Sequence, residues 1–480
     1  MTVLFPALHT TPDAPALRFG DRALTYGALA RTAGALAHRI RAGAGDPPRV
    51  AVWATPSLET AVATVAALLA GVPAVPINPK IGERELAHIV TDSAPALVLA
   101  EPGAVLPSGL ASVTRVDVTL DEQADPPADE PDEQAPAFVV YTSGTTGAPK
   151  GVVLPRRAVV STLDALEEAW QWTGDDVLVH GLPLFHVHGL ILGILGPLRR
   201  GGSVRHVGRF SSAAVARELT DGATMMFGVP TMYHRIANDV AGDPQLAAAF
   251  AGARLLVSGS AALPVHDHDR ITAATGQRVV ERYGMTETLM NTSVRADGER
   301  RPGTVGLPLR GVELRLVDDH GTPIETLDGE TVGEIEVRGP NLFTEYLNRP
   351  DATAEAFHDG WFRTGDMAVR DPDGYVRIVG RKATDLIKSG GYRIGAGEIE
   401  NALLEHPGVA EVAVTGEPDP DLGERIVAWI VPNGAPPSAE ELGDHVARLL
   451  TPHKRPRVVR YLDALPRNDM GKVMKRALDG

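Results

Sequence analysis

The apolar positions along the chain follow two alternating patterns, which predict layers of strands and helices. Short apolar runs predict buried strands at 49–53, 96–100, 177–180 and 254–258. Between these runs, Ala-rich stretches such as 26–41 and 58–69 carry apolar residues at helical spacing. Strands that alternate with helices in this way predict an α/β fold.

The pattern changes after Gly306. Short runs of alternating polarity at 312–317, 333–337 and 375–379 are separated by turns, which predicts a small antiparallel β-rich subdomain. The last hundred residues return to an α+β pattern, with predicted helices at 398–405 and 439–450 and predicted strands at 409–414 and 426–431. We therefore expect a large N-terminal domain, 1–383, made of layered α/β subdomains plus the β-rich one, followed by a small mobile C-terminal domain, 384–480.

Composition narrows the classes of function. A chain of 480 residues is long enough for two or more domains. The formal charge of −15 argues against nucleic acid or an anionic membrane as a general partner. The absence of cysteine excludes a protein thiol nucleophile, a thiolate metal site and disulfides. The N-terminus lacks the features of a signal peptide and the most apolar windows are short or interrupted by proline, so we expect a soluble cytoplasmic protein.

A loop rich in hydrogen-bond donors follows the apolar run 137–141. Within nine residues it carries four hydroxyl side chains, two glycines and a lysine: Thr142, Ser143, Gly144, Thr145, Thr146, Gly147 and Lys150. Hydroxyl and backbone donors with one cation at the end suit a polyphosphate, although the order of residues is not that of a P-loop. A plain turn between two strands is the alternative, and the density of donors favours phosphate binding.

The same string resembles the signature loop of the adenylate-forming superfamily, which contains acyl-CoA synthetases, adenylation domains and luciferases. Further motifs at 258–263, 282–287, 361–366 and 466–476 follow in the order of that family. The resemblance implies that Thr286 contacts the α-phosphate and that Glu287, with Thr145, holds Mg²⁺. It also implies ATP or AMP contacts by Ser260, Ala261, Ala262, Glu281, Arg282, Tyr283 and Gly284, and ribose contacts by Asp366 and Arg381.

The C-terminal motifs imply the rest of the machinery. Lys472 matches the catalytic lysine of the family, whose ammonium draws the carboxylate and the α-phosphate together, although a basic tail is the plainer interpretation. Thr384 aligns with the family's hinge, where relatives often carry Asp or Lys and one residue fewer before it. The stretch after the hinge resembles the coenzyme A channel, with Lys388, Ser389, Gly390, Gly391, Tyr392 and Arg393 as its residues.

Three stretches, 185–190, 227–236 and 285–293, resemble malonyl-CoA synthetases, including those that accept methylmalonate. A second carboxylate in the pocket needs a cation, and Arg235 is the candidate, with His188 and Ser260 as helpers and Val187 and Met290 as walls. A surface salt bridge for Arg235 and a core hydrogen bond for His188 are the plainer alternatives.

The implied activity is ATP-dependent ligation of malonate or methylmalonate to coenzyme A through an acyl-adenylate, with ATP, Mg²⁺ and coenzyme A required. The partners are then small molecules, with no nucleic acid, membrane or obligatory protein partner. Two alternatives stay open: a ligase for another short-chain or aromatic acid, and a stand-alone adenylation enzyme that loads a carrier protein. A binding protein without catalysis is disfavoured, because simple nucleotide binding does not require Lys472, Glu287 and Asp366 together.

Overall fold

The computed structural model describes residues 3–43, 45–46, 48–142, 148–382, 385–389, 392–468 and 471–478, with the backbone alone described for Arg393. The α-helices of this part are α1 Ala7–Thr10, α2 Tyr26–Gly43, α3 Leu58–Ala70, α4 Glu83–Ser93, α5 Arg156–Trp170, α6 Gly196–Arg200, α7 Ser212–Thr220, α8 Pro230–Val240, α9 Pro244–Ala251, α10 Val265–Thr275, α11 Pro350–Ala356, α12 Ala396–Leu404 and α13 Ala439–Leu449. A π-helix spans His188–Leu195, and 3-10 helices span Ser108–Leu110, Pro452–Lys454 and Lys475–Ala477.

The strands of the first half are β1 Pro15–Phe19, β2 Arg22–Thr25, β3 Val50–Trp53, β4 Ala74–Ile77, β5 Leu97–Ala100, β6 Thr114–Asp117, β7 Pro136–Thr142, β8 Lys150–Pro155, β9 Val177–His180, β10 Ser203–His206, β11 Met225–Gly228, β12 Leu255–Ser258, β13 Val280–Met285 and β14 Leu289–Ser293. Those that follow are β15 Leu307–Pro308, β16 Glu313–Val317, β17 Gly333–Arg338, β18 Glu345–Tyr346, β19 Phe357–His358, β20 Trp361–Arg370, β21 Val376–Arg381, β22 Leu386–Ser389, β23 Tyr392–Gly395, β24 Val409–Asp419, β25 Gly423–Pro432 and β26 Val458–Tyr461.

Two large mixed sheets form the body of the N-terminal domain. One has nine strands in the order β15-β14-β13-β12-β11-β9-β10-β1-β2, and the other has seven in the order β18-β8-β7-β4-β3-β5-β6. The central strands are parallel and buried along their whole length, as in β3, β5 and β12. Continuous apolar runs are typical of parallel strands covered on both faces by helices. The predicted α/β layers are confirmed.

The helices between these strands begin and end where the sequence supplies caps. Helix α3 is an example: the Ser57 hydroxyl accepts a hydrogen bond from the Thr60 amide at its start, and Gly71 ends it with a φ of 73°. Its interior is apolar on nearly every side and is buried between the two large sheets, where it contacts α2, β1 and β3. Such a helix is stabilised mainly by burial rather than by one amphipathic face.

Two smaller sheets follow in the second half of the chain. Strands β16, β17, β20, β19 and β21 make an antiparallel sheet, which confirms the predicted β-rich subdomain. Strands β23, β22, β25, β24 and β26 make the last sheet, which packs with α12 and α13 around its own apolar core. No helix in the described part of the chain is both long and apolar enough to span a lipid bilayer.

Candidate active site

Asp366, Arg381 and Tyr283 meet at the edge between the nine-stranded sheet and the β-rich subdomain. The antiparallel register of β20 and β21 places Arg381 opposite Asp366, and the Arg381 Nε lies 2.9 Å from the Asp366 Oδ1. The Tyr283 hydroxyl donates to the Asp366 Oδ2 at 2.6 Å. Burial raises the pKa of Asp366, while the Arg381 guanidinium and the Tyr283 hydroxyl act in the opposite direction. The carboxylate is thus held in one orientation by two partners.

Glu287 lies in the turn between β13 and β14, close to this group. Thr286 and Glu287 thus stand between two strands and do not begin a helix. The Tyr346 hydroxyl donates to the Glu287 Oε1 at 2.9 Å, and the Lys150 ammonium lies 4.7 Å from the centre of the Tyr346 ring. Burial raises the pKa of Glu287, although the Tyr346 hydrogen bond and Lys150 lower it. Nothing in the sequence around Tyr346 indicated this contact.

The donor set suits a magnesium ion that is carried on phosphate oxygens. Within the described ranges there is no group of three or more His, Cys, Asp or Glu side chains that would hold a metal ion alone. Mg²⁺ commonly takes only one or two carboxylates from the protein and the rest of its ligands from water and phosphate. Glu287 fits that role, since a buried carboxylate with a raised pKa gains charge stabilisation from a cation.

Lys472 approaches the same cleft from the C-terminal domain. Loss of water lowers the pKa of Lys472, Arg381 lowers it further, and the carboxylates of Asp385 and Asp366 act against this shift. The Lys472 side chain is exposed at the mouth of the cleft. The protein around it nevertheless displaces part of its hydration shell, which is why its pKa is lowered. We refer to Tyr283, Glu287, Tyr346, Asp366 and Arg381, several of which the resemblance predicts to contact nucleotide, as the nucleotide half of the candidate site. Lys472 lies at its entrance.

Arg282, His188 and Ser260 form a second group, the acid half. Arg282 is 4% exposed, and its Nε and one terminal nitrogen, Nη2, have no hydrogen-bond partner among the described residues. Burial lowers the pKa of Arg282 to about 10. The pKa of His188 is lowered well below its usual value, first by burial and then by Arg282. Strand alternation sends Arg282 and Tyr283 to opposite faces of β13, so one strand supplies both halves.

The backbone around the acid half is adapted to close approach. A Cβ at Gly259 would lie 2.3 Å from the Arg282 guanidinium carbon, so only glycine fits beside it. Ser260 follows with a φ of 75°, a conformation that is unusual for a residue other than glycine and that is often found at functional sites. Its hydroxyl lies 3.4 Å from the His188 Nδ1. His188 begins the π-helix, another irregularity that is frequent at functional sites.

Buried apolar residues lie near the buried members of this group, Arg282 and His188, whereas Ser260 is exposed. Val187 and Met290 are buried, and the His188 ring lies 5.9 Å from the ring of Phe227. A Cβ at Gly284 would lie 2.8 Å from the Met290 methyl group and 1.8 Å from the Leu289 carbonyl oxygen, so the chain passes close to this wall. The two predicted wall residues are thus buried, and their role in acid binding stays a prediction.

The observed surroundings of Glu281 and Arg235 do not fit the ligand contacts predicted for them. Both carboxylate oxygens of Glu281 are engaged, since Oε2 accepts from the Leu263 amide and Oε1 pairs with His268. We therefore expect Glu281 to hold the 260–263 loop rather than to contact nucleotide. Arg235 lies on α8, exposed, and it has neither a hydrogen bond nor an ion pair to any described residue. The structure does not bring it into the buried group, and the alternative of a surface salt bridge is not observed either.

The remaining predicted residues lie around these two halves. Thr142 ends β7, Thr286 is half-buried in the turn before Glu287, and Ala261 and Ala262 are exposed beside Ser260. In the predicted coenzyme A stretch, Lys388 is exposed, Ser389 is buried, and the Tyr392 ring stacks on His453 at 4.0 Å. Ser143, Gly144, Thr145, Thr146, Gly147, Thr384, Gly390, Gly391 and the Arg393 side chain lie outside the described residues.

Comparison with known proteins identifies the class. The AMP-binding enzyme family matches residues 4–347, and the family of AMP-binding enzyme C-terminal domains matches residues 398–472. The chain therefore belongs to the AMP-binding enzyme family and is an acyl-CoA synthetase of the AMP-forming kind. The resemblance noted in the sequence and the predicted class of enzyme are confirmed.

Individual relatives are more specific. The chain is 38% identical to a malonate–CoA ligase of Arabidopsis thaliana over 475 residues, which cover 90% of this chain and 77% of the relative. A malonyl-CoA ligase ternary product complex with methylmalonyl-CoA and AMP bound is 73% identical, over 96% of this chain and 100% of that one, with a TM-score of 0.76. ATP-bound MatB from Rhodopseudomonas palustris is 34% identical, over 99% and 97%, with a TM-score of 0.90.

The structure with the higher sequence identity has the lower TM-score. The 73% identical product complex therefore superposes less well on this structure than the 34% identical ATP-bound one does.

Proposed function

We propose that the enzyme joins malonate or methylmalonate to coenzyme A through an acyl-adenylate and releases AMP and pyrophosphate. The relatives support this acid because two of the most similar proteins act on malonate or carry methylmalonyl-CoA. The ATP- and Mg²⁺-dependence of the reaction fits the nucleotide half. The observation that carries the choice of acid, however, belongs to the acid half.

That observation is the buried, unpartnered guanidinium of Arg282. A buried charge without a partner costs several kcal/mol, so such a group is rarely retained unless a ligand completes it. The distal carboxylate of a small diacid supplies the missing charge and accepts from both Nε and Nη2, a fork that guanidinium forms well. His188, held neutral by burial and by Arg282, is able to donate from Nε2, which also has no partner among the described residues.

Arg282 takes this role in place of Arg235, which is exposed. A monocarboxylic acid would leave the guanidinium buried and unpaired, so the site would disfavour it on energetic grounds. Val187 and Met290 border the same group, and their size would decide whether a methyl group on the α-carbon is accepted.

In the first half-reaction the proximal carboxylate oxygen attacks the α-phosphorus of ATP and pyrophosphate leaves. We assign the ribose hydroxyls to Asp366 and Arg381, since a carboxylate with fixed orientation accepts from a cis-diol. Glu287 would hold Mg²⁺, which offsets the charge of the phosphates. The Lys472 ammonium would stabilise the negative charge that is shared between carboxylate and α-phosphate during the displacement.

In the second half-reaction the thiol of coenzyme A attacks the acyl carbonyl, its proton is lost, and AMP leaves. Lys472 would withdraw as the small domain rotates, and Lys388, Ser389 and Tyr392 would then face the thiol channel. The family matches end at 347 and resume at 398, which supports a boundary between residues 383 and 384. A cytoplasmic location and the lack of an obligatory protein partner belong to the same proposal.

The experiment is AMP release with ATP, Mg²⁺ and coenzyme A across a panel of acids. Malonate, methylmalonate and succinate carry a second carboxylate at different distances from the reacting one. Sulfoacetate carries a sulfonate in its place. Acetate, propionate and benzoate have no second anionic group. We expect strong turnover with malonate or methylmalonate and weak turnover with the three monoacids.

The other outcomes separate the alternatives. Turnover that favours a monoacid would keep the reaction and reject Arg282 as the selector. Equal turnover with sulfoacetate would mean that the site recognises charge without distinguishing carboxylate from sulfonate. AMP release that is independent of coenzyme A would instead support an enzyme that loads a carrier protein.

A further inference from the structure

The loop that carries Lys472 rests against helix α8 of the N-terminal domain. Gly471 has a φ of 76°, and a Cβ placed on it would lie 2.9 Å from the Thr231 Oγ1 and 3.2 Å from its Cγ2. The backbone immediately before the candidate catalytic lysine therefore touches the Thr231 side chain. Thr231 lies in the first turn of α8 and belongs to neither half of the active site described above.

The described residues of this loop, 467–468 and 471–473, hydrogen-bond to one another. The Gly471 amide donates to the Asn468 carbonyl, the Lys472 amide donates to the Asn468 Oδ1 at 2.9 Å, and the Arg467 guanidinium donates to the Gly471 carbonyl at 2.6 Å. Arg467 also pairs with Val473 in an isolated bridge and forms an ion pair with Glu411 of β24 at 2.5 Å. These contacts tie the loop to the small domain, so it moves with that domain as one unit.

An electrostatic interaction between the domains involves His234, one turn further along α8. His234 shares a helix face with Thr231, and its Nδ1 lies 3.0 Å from Asp267. The Asp267 hydrogen bond raises the pKa of His234, and the Glu411 carboxylate of the small domain acts in the same direction across the interface. Helix α10, which carries Asp267, also contacts α12 of the small domain. The helix contact and the electrostatic interaction between the domains thus lie on the same side of the N-terminal domain as Thr231.

We propose that Thr231 is a positioning residue for Lys472, and that its contact with Gly471 seats the lysine loop for adenylation only. The contact joins two domains, so it exists only in an arrangement like the present one. The 73% identical product complex differs from this structure in its overall superposition, whereas the 34% identical ATP-bound structure does not differ as much. A residue that acts in this way would matter for the first half-reaction and not for the second.

This inference rests on the proposed two-step reaction, and substitutions at the two contacting residues test it. Gly471→Ala introduces the methyl group that Thr231 opposes, and we expect the adenylation rate to fall about 100-fold, as displaced catalytic groups typically cause. Thioester formation from supplied malonyl-adenylate and coenzyme A should stay within about twofold, because the loop has left Thr231 in that step. Thr231→Ala alone should slow adenylation about tenfold and spare thioester formation, because the contact that seats the loop is lost.

The double variant decides whether the contact itself is responsible. Thr231→Ala removes both atoms that the new methyl group would meet, so Gly471→Ala combined with Thr231→Ala should recover much of the lost adenylation rate. Recovery will be incomplete, because alanine remains disfavoured at a φ of 76°. A double variant that is no faster than Gly471→Ala alone would overturn the proposal.

Two further variants keep the test independent of the strain at Gly471. Thr231→Leu adds volume from the side of α8 and should reproduce the selective loss of adenylation. Asp239 is exposed on the same helix, and its carboxylate has no hydrogen-bond or ion-pair partner among the described residues. The control variant Asp239→Leu should therefore leave both half-reactions unchanged. Equal loss of both half-reactions in Thr231→Leu would make Thr231 a structural residue. An unmodified enzyme that forms no adenylate with any acid would instead reject the proposed function.

Discussion

The two halves of the active site differ in how completely their polar groups are satisfied. In the nucleotide half, Asp366 has Tyr283 and Arg381 as partners, and Glu287 has Tyr346. In the acid half, Arg282 and His188 are equally buried, yet three of their nitrogens have no partner within the described residues. The first half is preorganised by the protein alone, whereas the second is completed only when a ligand supplies an anion.

This difference has an energetic consequence. Preorganised groups contribute to catalysis without further reorganisation, so their removal affects rate. An unsatisfied buried cation lowers the stability of the free protein and is compensated when the substrate binds, so its removal affects affinity and specificity while it stabilises the fold. The predictions below test that division, beginning with the largest expected effect.

The largest effect should come from Lys472, which completes the nucleotide half from the other domain. Lys472→Ala should lower the rate of adenylation about 100- to 1,000-fold, because a charge aimed at the developing negative charge is lost. Thioester formation from supplied acyl-adenylate should be spared. The two half-reactions are measured separately by pyrophosphate release and by acyl-CoA formation. Equal loss in both steps would contradict the assignment.

The acid half should respond with a change of specificity. Arg282→Met should lower kcat/KM for malonate about 100-fold or more, because the diacid would bury a carboxylate without its cation. Activity with propionate should fall far less, and the variant should be more stable to urea by about 1–4 kcal/mol, since the unpaired buried charge is gone.

Arg235→Met is the matched control for this arginine. Since Arg235 is exposed, its removal should change neither diacid preference nor stability appreciably. If the selective loss of malonate use occurs in Arg235→Met instead, the sequence-based assignment is correct and the acid half described here is not the selector.

Tyr346→Phe tests the preorganisation of Glu287. The Tyr346 hydrogen bond lowers the pKa of Glu287, so its removal should raise that pKa further. Mg²⁺ competes with the proton for this carboxylate; its apparent affinity should therefore fall about tenfold and should weaken at a higher pH than in the unmodified enzyme. Titration of activity with Mg²⁺ between pH 6 and 8 measures both. An unchanged Mg²⁺ dependence would remove Glu287 from the metal site.

The smallest expected effect is on the pH dependence of stability, and it comes from the buried pair His180 and His206. His206 donates from Nε2 to the Leu182 carbonyl, and its ring lies 4.8 Å from that of His180. Burial lowers the pKa of His206 to about 4, while an unfolded histidine titrates near about 6.5. Between these values the unfolded state binds more protons, so stability is lost as pH falls from about 6.5 towards 4.

His206→Gln should therefore reduce the difference in unfolding free energy between pH 7.5 and pH 5. The expected reduction is about 1 kcal/mol or more, because one pKa unit corresponds to about 1.4 kcal/mol. Urea unfolding at the two pH values measures it, with the surface variant His320→Gln as control. An identical pH dependence in His206→Gln and the unmodified protein would contradict this prediction.

The sequence by itself determined the fold class and pointed to most residues of the proposed nucleotide half. Continuous apolar runs separated by helical stretches were sufficient for the α/β layers, because these patterns are local properties of the chain. The motifs around Glu287, Asp366 and Lys472 were recognisable for the same reason, since each combines characteristic residues within a few positions.

Only the tertiary structure decided which arginine is buried without a partner. Arg282 and Arg235 both stand in suggestive stretches, but burial depends on segments that are distant in the chain, such as Gly259 and His188 around Arg282. The same holds for Tyr346, which lies 59 positions from Glu287, and for Thr231 beside Gly471. Contacts between distant segments are set by packing rather than by periodicity, and neither spacing nor composition records them.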